Sequence, residues 1–216
     1  MDHVELRPYP FPEGMAIPRL MPFQEYPWNG DGYLAAEVLR LKEAHGLTCA
    51  LETGTCLGST TSWMVENFPF HIRSYEINPE YHAIAMARVP RAHIINHSTP
   101  MVDLCLESSA TGFDMVDADG MGDRTFVFLD AHWSNHCPLL DELEAIAYSK
   151  VKPCIIIHDF QVPGTDFGFD KMPDGRPFSL DLIAGHLDRI YGEGGWKHNY
   201  PTEVEGARRG WISVEP

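Results

Sequence analysis

Positive charge is what this chain has least of. Sixteen lysines and arginines stand against 31 aspartates and glutamates, a formal charge of −15, and such a surface repels phosphate backbones and anionic lipid. Neither nucleic acid nor a membrane surface is therefore expected as a partner. Long apolar runs are missing too. None approaches the roughly 20 residues that span a bilayer, and the opening Met1-Asp-His-Val-Glu-Leu-Arg7 lacks the basic-then-apolar order of a signal peptide. Paired cysteines are absent: Cys49, Cys56, Cys105, Cys137 and Cys154 are odd in number and lack the short paired spacing of a zinc site. A reducing compartment, the cytoplasm, is the expectation.

What is present is a chain of ordinary globular composition, 44% apolar and 22% charged over 216 residues, long enough for one three-layer core with decorated ends. Residues 1–30 carry six prolines among Tyr9, Phe11, Phe23, Tyr26 and Trp28, a composition that favours an extended arm. Such an arm packs over a pocket or over the partner in a homo-oligomer. Residues 31–216 read as one domain. Leu34, Val38 and Leu41 fall at helical spacing before Gly46. Short apolar runs then alternate with amphipathic segments. Strands are expected at Cys49 to Thr53, Ile72 to Ile77, His93 to Asn96, Phe126 to Asp130 and Cys154 to Asp159. Helices are expected near Thr60 to Asn67, Pro79 to Arg88, Met101 to Glu107 and Pro138 to Tyr148. That alternation predicts right-handed crossovers and a parallel sheet covered on both faces. A long loop over Gly164 to Pro177, a helix around Ser179 to Tyr191 and two strand-like pieces near Trp196 to Thr202 and Gly210 to Val214 bring the sheet to seven strands.

The stretch Leu51-Glu-Thr-Gly-Thr-Cys-Leu-Gly-Ser-Thr60 lies where the first strand turns into the next helix, the edge at which open parallel sheets bind ligands. Gly54 permits a sharp turn, Gly58 a close helix start, and Ser59 and Thr60 offer hydroxyls beside unpaired helix amides, suited to a carboxylate. A dinucleotide fingerprint would need glycine where Cys56 stands, and a P-loop would need lysine after Gly58. Glu52 is poor company for a pyrophosphate but suits a ligand bearing an ammonium and a sulfonium. Glu76, at the tip of the second strand, is placed to accept hydrogen bonds from ribose hydroxyls.

Together with Tyr-Glu-Ile-Asn at 75–78, Phe-Leu-Asp-Ala-His-Trp at 128–133 and Ile-Ile-His-Asp-Phe at 156–160, this stretch resembles the class I S-adenosylmethionine-dependent methyltransferases. Within them it resembles the metal-assisted group of cephalosporin-hydroxylase-like and macrocin O-methyltransferase-like enzymes. The resemblance spans about Cys49 to Phe160. It implies a Rossmann-like α/β fold, with Glu52, Gly54, Gly58 and Ser59 at the methionine end of the cofactor and Glu76 at its ribose. Thr55, Ile77, Ser98 and Asp130 complete the implied cofactor contacts. Where the family often has Gly-Asp-Ser, this chain has Asn96-His97-Ser98.

Asp130 and Asp159 end the fourth and fifth apolar strands. Adjacent strands lie about 4.8 Å apart, and neighbouring carboxylates repel unless a cation or proton lies between them. A hard divalent ion such as Mg²⁺ is the expected cation. His132, His136 and His158 surround the same edge, which leaves open a mixed site of Asp130, His158 and Asp159. Related enzymes commonly have an acidic residue in place of His158, and imidazole shifts the preference toward Mn²⁺, Fe²⁺ or Zn²⁺. Asp130, His132 and His158 are the candidate proton acceptors for methyl transfer to a small polar acceptor, a sugar or polyphenol. Three alternatives stay open: a metal-independent methyltransferase, a metal hydrolase built on Asp130-Ala131-His132, and a non-catalytic nucleotide-binding module.

Overall fold

The computed structural model describes residues 2–97, 124–132, 137–149 and 151–216. Ser98, Cys105, His136 and the helix expected over Met101 to Glu107 lie outside them. Residues 2–26 contain no helix or strand and lead into a tight turn, Pro27–Gly30, in which Trp28 and Asn29 are left-handed. Helices α1 (Gly32–His45), α2 (Ser59–Asn67) and α3 (Pro79–Arg88) alternate with strands β1 (Cys49–Thr53), β2 (Ile72–Tyr75) and β3 (His93–Ile95). Then follow β4 (Thr125–Leu129), α4 (Leu139–Ser149), β5 (Cys154–His158), α5 (Leu180–Tyr191), β6 (Lys197–Asn199) and β7 (Trp211–Glu215).

Local chemistry sets these boundaries. Asp31 caps α1, its Oδ1 accepting from the amides of Tyr33 and Leu34, a contact worth about 1 kcal/mol. Its other oxygen accepts from the Trp211 indole at 3.2 Å and ties the start of α1 to β7. At α3, Asn78 caps and Pro79 fills the first position, where no amide is needed. Strand β2 is shorter than expected because the Glu76 carboxylate turns back onto the amides of Cys56 and Asn78. Strand β3 stops at Ile95, and the next side chain, Asn96, donates to the carbonyls of Glu76 and Ile77.

The seven strands run β3-β2-β1-β4-β5-β7-β6. The first five are parallel, whereas β7 is antiparallel to both β5 and β6. Strands β1, β4 and β5 are buried along their whole length, so alternate residues feed two cores. Leu51, Val127, Leu129, Ile155 and Ile157 share one core with Leu143, Ile146, Ile183 and Leu187 from α4 and α5. Ala50, Phe126, Phe128 and Ile156 share the other with Leu34, Val38 and Leu41 of α1 and Trp63 and Met64 of α2. Trp28, fully buried, seats the end of the arm there, edge-on to Trp63 and Phe128 at 5.1 and 4.9 Å. Such pairs add about 0.5–1.5 kcal/mol each beyond area burial.

The chain leaves β1 toward β2 on one side and returns to β4 on the other, so a crevice opens at the carboxyl ends of β1 and β4. Gly54 is what lets its walls approach. Its φ is 81°, and a Cβ there would lie 2.4 Å from the Asp130 carbonyl oxygen. Gly54→Ala is expected to destabilise the fold by about 3 kcal/mol, a left-handed backbone penalty plus a backbone clash. Gly164→Ala, at φ 77° with nothing within 4 Å, should cost only about 1 kcal/mol. Urea unfolding of both variants checks this, and equal costs would contradict the close approach.

Candidate functional site

Beyond β1 the backbone turns through left-handed Gly54, Cys56 and Gly58 before α2 begins. The Cys56 amide donates to Glu76 Oε2 at 2.7 Å and the Asn78 amide to Oε1 at 2.8 Å, so Glu76 joins the turn to the tip of β2. Beneath it Glu52 is buried. Its Oε2 accepts from Thr61 Oγ1 at 2.5 Å and Ser74 Oγ at 2.6 Å, and Thr55 Oγ1 contacts Ser74 Oγ at 2.5 Å.

This half of the crevice gathers acidic groups that burial holds toward their neutral forms. Burial pushes Glu52 up to about 8, although the two hydroxyls oppose it, and Asp130 and Glu76 raise it further. Burial, and then Glu76, push the Cys56 thiol up to about 12. Glu76 is itself raised by burial against its amide partners. An acidic pocket of this kind favours a cationic ligand and disfavours a pyrophosphate.

The N-terminal arm covers the turn. Ser59 Oγ donates to the Gln24 carbonyl at 2.8 Å, the Trp28 amide donates to Thr60 Oγ1 at 2.9 Å, and Gln24 Nε2 lies 3.5 Å from Cys56 Sγ. Arg88 clamps the same layer: its guanidinium donates to the Leu57 and Tyr9 carbonyls and lies 4.0 Å above the Phe11 ring. The hydroxyls expected to meet the cofactor's carboxylate are thus engaged by the arm in this conformation. Ile77 is exposed beside Glu76.

The second half of the site lies at the ends of β4 and β5. His158 Nδ1 contacts Asp130 Oδ1 at 3.1 Å and Asp159 Oδ2 at 3.5 Å. His132 Nε2 contacts Asp159 Oδ2 at 2.6 Å, Asp170 Oδ2 at 3.5 Å and Asp130 Oδ1 at 3.9 Å. Asp159 itself is left-handed, φ 55°, a conformation Asp tolerates better than most residues. Burial pulls both imidazoles down, but the carboxylates around them outweigh it: His132 is raised, and His158 is held well above the ordinary imidazole range. Conversely, burial pushes Asp159 up, and the two imidazoles overcome it, holding the carboxyl below its ordinary range.

Two residues here escaped the sequence reading, Asp170 and Arg209. Arg209 Nε donates to Asp159 Oδ1 and its Nη2 to Asp170 Oδ1. Asp170 comes from the loop expected over 164–177, pinned when its amide donates to the Asp159 carbonyl at 2.8 Å. The only signal in the sequence was an Arg-Arg pair just before the last strand. Nothing in the spacing says that this strand lies antiparallel beside β5, which is what carries Arg209 to the carboxyl ends of the parallel strands.

No protein-family model and no curated protein matches the chain. Its fold, however, is similar to solved methyltransferase structures. An O-methyltransferase from Bacillus cereus in complex with SAH superposes with a TM-score of 0.55 at 16% identity, covering 85% of this chain and 80% of that one. A SAM-dependent methyltransferase from Aquifex aeolicus gives 0.50 at 16%, covering 83% and 87%. SAM-bound CalS10, an amino pentose methyltransferase from Micromonospora echinaspora, gives 0.50 at 14%, covering 85% and 91%. The chain therefore has the Rossmann-like α/β fold of these proteins. Among the described residues no helix is long and apolar enough to cross a membrane.

The buried Glu52 generates a stability prediction. Between about pH 5 and about 8 the unfolded chain has released this proton while the folded chain retains it, so rising pH favours unfolding across that window. Glu52→Gln keeps an acceptor for Thr61 and Ser74 but cannot ionise. Its melting temperature should decline less than the wild type's over that window, and parallel declines in thermal melts would contradict a protonated Glu52.

Proposed function

We propose that this chain is an S-adenosylmethionine-dependent methyltransferase acting on an oxygen of a small polar acceptor. The observation that carries the reading is the acidic crevice at the β1–β4 switch point. There Asp130 and Glu76 raise the proton affinity of the buried Glu52, next to a turn whose backbone admits a ligand closely. A sulfonium and an ammonium relieve that repulsion, whereas the pyrophosphate of a dinucleotide aggravates it. The shared fold adds weight.

When bound, S-adenosylmethionine supplies a methyl group activated by its positive sulfur. The protein's part is to hold, orient and move a proton. Glu76 would hold the ribose hydroxyls, Glu52, which keeps its proton in the unliganded protein, would be free to ionise beside a cationic ligand, and Ile77 would offer an apolar surface next to the ribose. Gly54, Thr55 and Gly58 shape the turn, and Ser59 is released to the ligand carboxylate when the arm at Gln24 shifts. His132, oriented by Asp159 through Nε2, would take the acceptor proton on Nδ1. A cationic ligand nearby would disfavour its imidazolium form and so favour the base. His158 remains behind Asp130 and steadies it.

The donors of Asp130, His158 and Asp159, and of His132, Asp159 and Asp170, lie within 4.8 Å of one another, which suits a divalent ion such as Mg²⁺ by type and spacing. Both Asp159 oxygens, however, already meet cationic partners, Arg209 on Oδ1 and His132 on Oδ2. As arranged, these residues do not fit an ion.

Calorimetric titration tests the reading: S-adenosylmethionine and S-adenosylhomocysteine should bind and NAD should not, and the reverse order would overturn it. Glu76→Gln, which retains size and removes charge, should weaken S-adenosylmethionine binding by about 1.5–3 kcal/mol, roughly tenfold or more. An unchanged Kd removes Glu76 from the site. With a panel of polyphenol and sugar acceptors, His132→Ala should lower turnover by about 10²–10⁴-fold. Because the carboxylates raise His132, wild-type turnover should fall as pH drops through a midpoint above about 6.5. A flat pH profile, or full activity of the variant, excludes His132 as the base.

A further inference from the structure

We infer that Arg209 is the built-in counter-cation of this site, a positioning residue whose guanidinium bridges Asp159 and Asp170 and closes the cluster to divalent metal. The candidate ion-binding groups share one member, Asp159, and Arg209 Nε donates to its Oδ1 while Arg209 Nη2 reaches Asp170 Oδ1. An ion entering either group would have to share that carboxylate with a guanidinium in contact with it, and like charges at such separations repel strongly.

Arg209 is not a loosely held surface side chain. Its residue forms a bridge with Gly168, the Gly168 amide donates to the Arg208 carbonyl, and the Gly210 amide donates to the Gly168 carbonyl. A Cβ on Gly168 would lie 3.0 Å from both Arg209 Cδ and Nη1, so the arginine stem lies against the loop backbone. The two backbones that carry the carboxylates are joined as well, because the Asp170 amide donates to the Asp159 carbonyl. The charges close without an ion: Asp130, Asp159 and Asp170 face one guanidinium and two imidazoles. Arginine also stays charged at every pH of interest, so pH does not open the lock, and a planar fork spans two carboxylates in a way the compact ammonium of lysine does not.

The test uses the whole chain and Mn²⁺ alone, so it does not depend on the methyltransferase reading. Free Mn²⁺ is followed by electron paramagnetic resonance during titration at neutral pH, with folding monitored by circular dichroism and thermal melts. The wild type should bind no Mn²⁺ at this site up to about millimolar concentration, while Arg209→Met, which retains the stem and removes the charge, should bind at least about tenfold more tightly. Stoichiometric micromolar binding by the wild type would overturn the inference, as would a folded Arg209→Met that binds no better than the wild type. Should Arg209→Met fail to fold, Arg209→Gln decides. It keeps a donor for Asp159 and Asp170 but removes the charge, so Mn²⁺ affinity should rise, and no rise in the folded variant overturns the proposal.

Discussion

The carboxylate of Asp159 is the contact on which the rest of the site depends. It draws together His132 from the segment after β4, His158 from the end of β5, and Arg209 from the approach to β7. Its own carbonyl receives the amide of Asp170. Leaving a buried carboxylate without partners costs several kcal/mol, so these segments arrive at the sheet edge with their geometry dictated by one charge. The left-handed backbone at Asp159 is tolerated because the surrounding hydrogen bonds over-determine it. Removing Asp159 would free two imidazoles and a guanidinium at once.

Around that contact the crevice divides into two electrostatic halves. Toward β1 and β2, the Glu52 and Glu76 carboxyls accept from hydroxyls and amides, and burial raises their proton affinity. Toward β5 and β7, carboxylates and cations balance. The first half suits a cationic ligand and the second suits proton transfer. A methyl donor that carries positive sulfur, reacting with an acceptor that loses a proton, uses both halves at their meeting point beside Asp130. Gly54, packed on the Asp130 carbonyl, brings that meeting point within reach of the turn.

Much of the frame was legible in the sequence because it rests on local rules. The apolar run at 154–157 reads as a doubly buried strand and is one. The helix expected from Pro79 starts there, and Gly46 ends α1 in a left-handed conformation. The convergence of Asp130 with His158 and Asp159 also follows from adjacent parallel strands. Arg209 and Asp170 were not legible, because their position depends on the insertion of β7 between β5 and β6, a long-range choice that no period records. The engagement of Ser59 and Thr60 by the arm was hidden for the same reason. A proline-rich segment predicts extension, not the surface it will lie on.

Segmental ¹⁵N nuclear magnetic resonance of the imidazoles tests the central claim, that internal cations balance the carboxylates at this edge. At about pH 6.5, where an ordinary imidazole is half protonated, His132 and His158 should each be more than half doubly protonated in the unliganded protein, since their carboxylate neighbours hold both above the ordinary range. Millimolar Mg²⁺ should leave the spectra unchanged. Neutral imidazoles at that pH, or loss of the His158 proton on adding Mg²⁺, would contradict it.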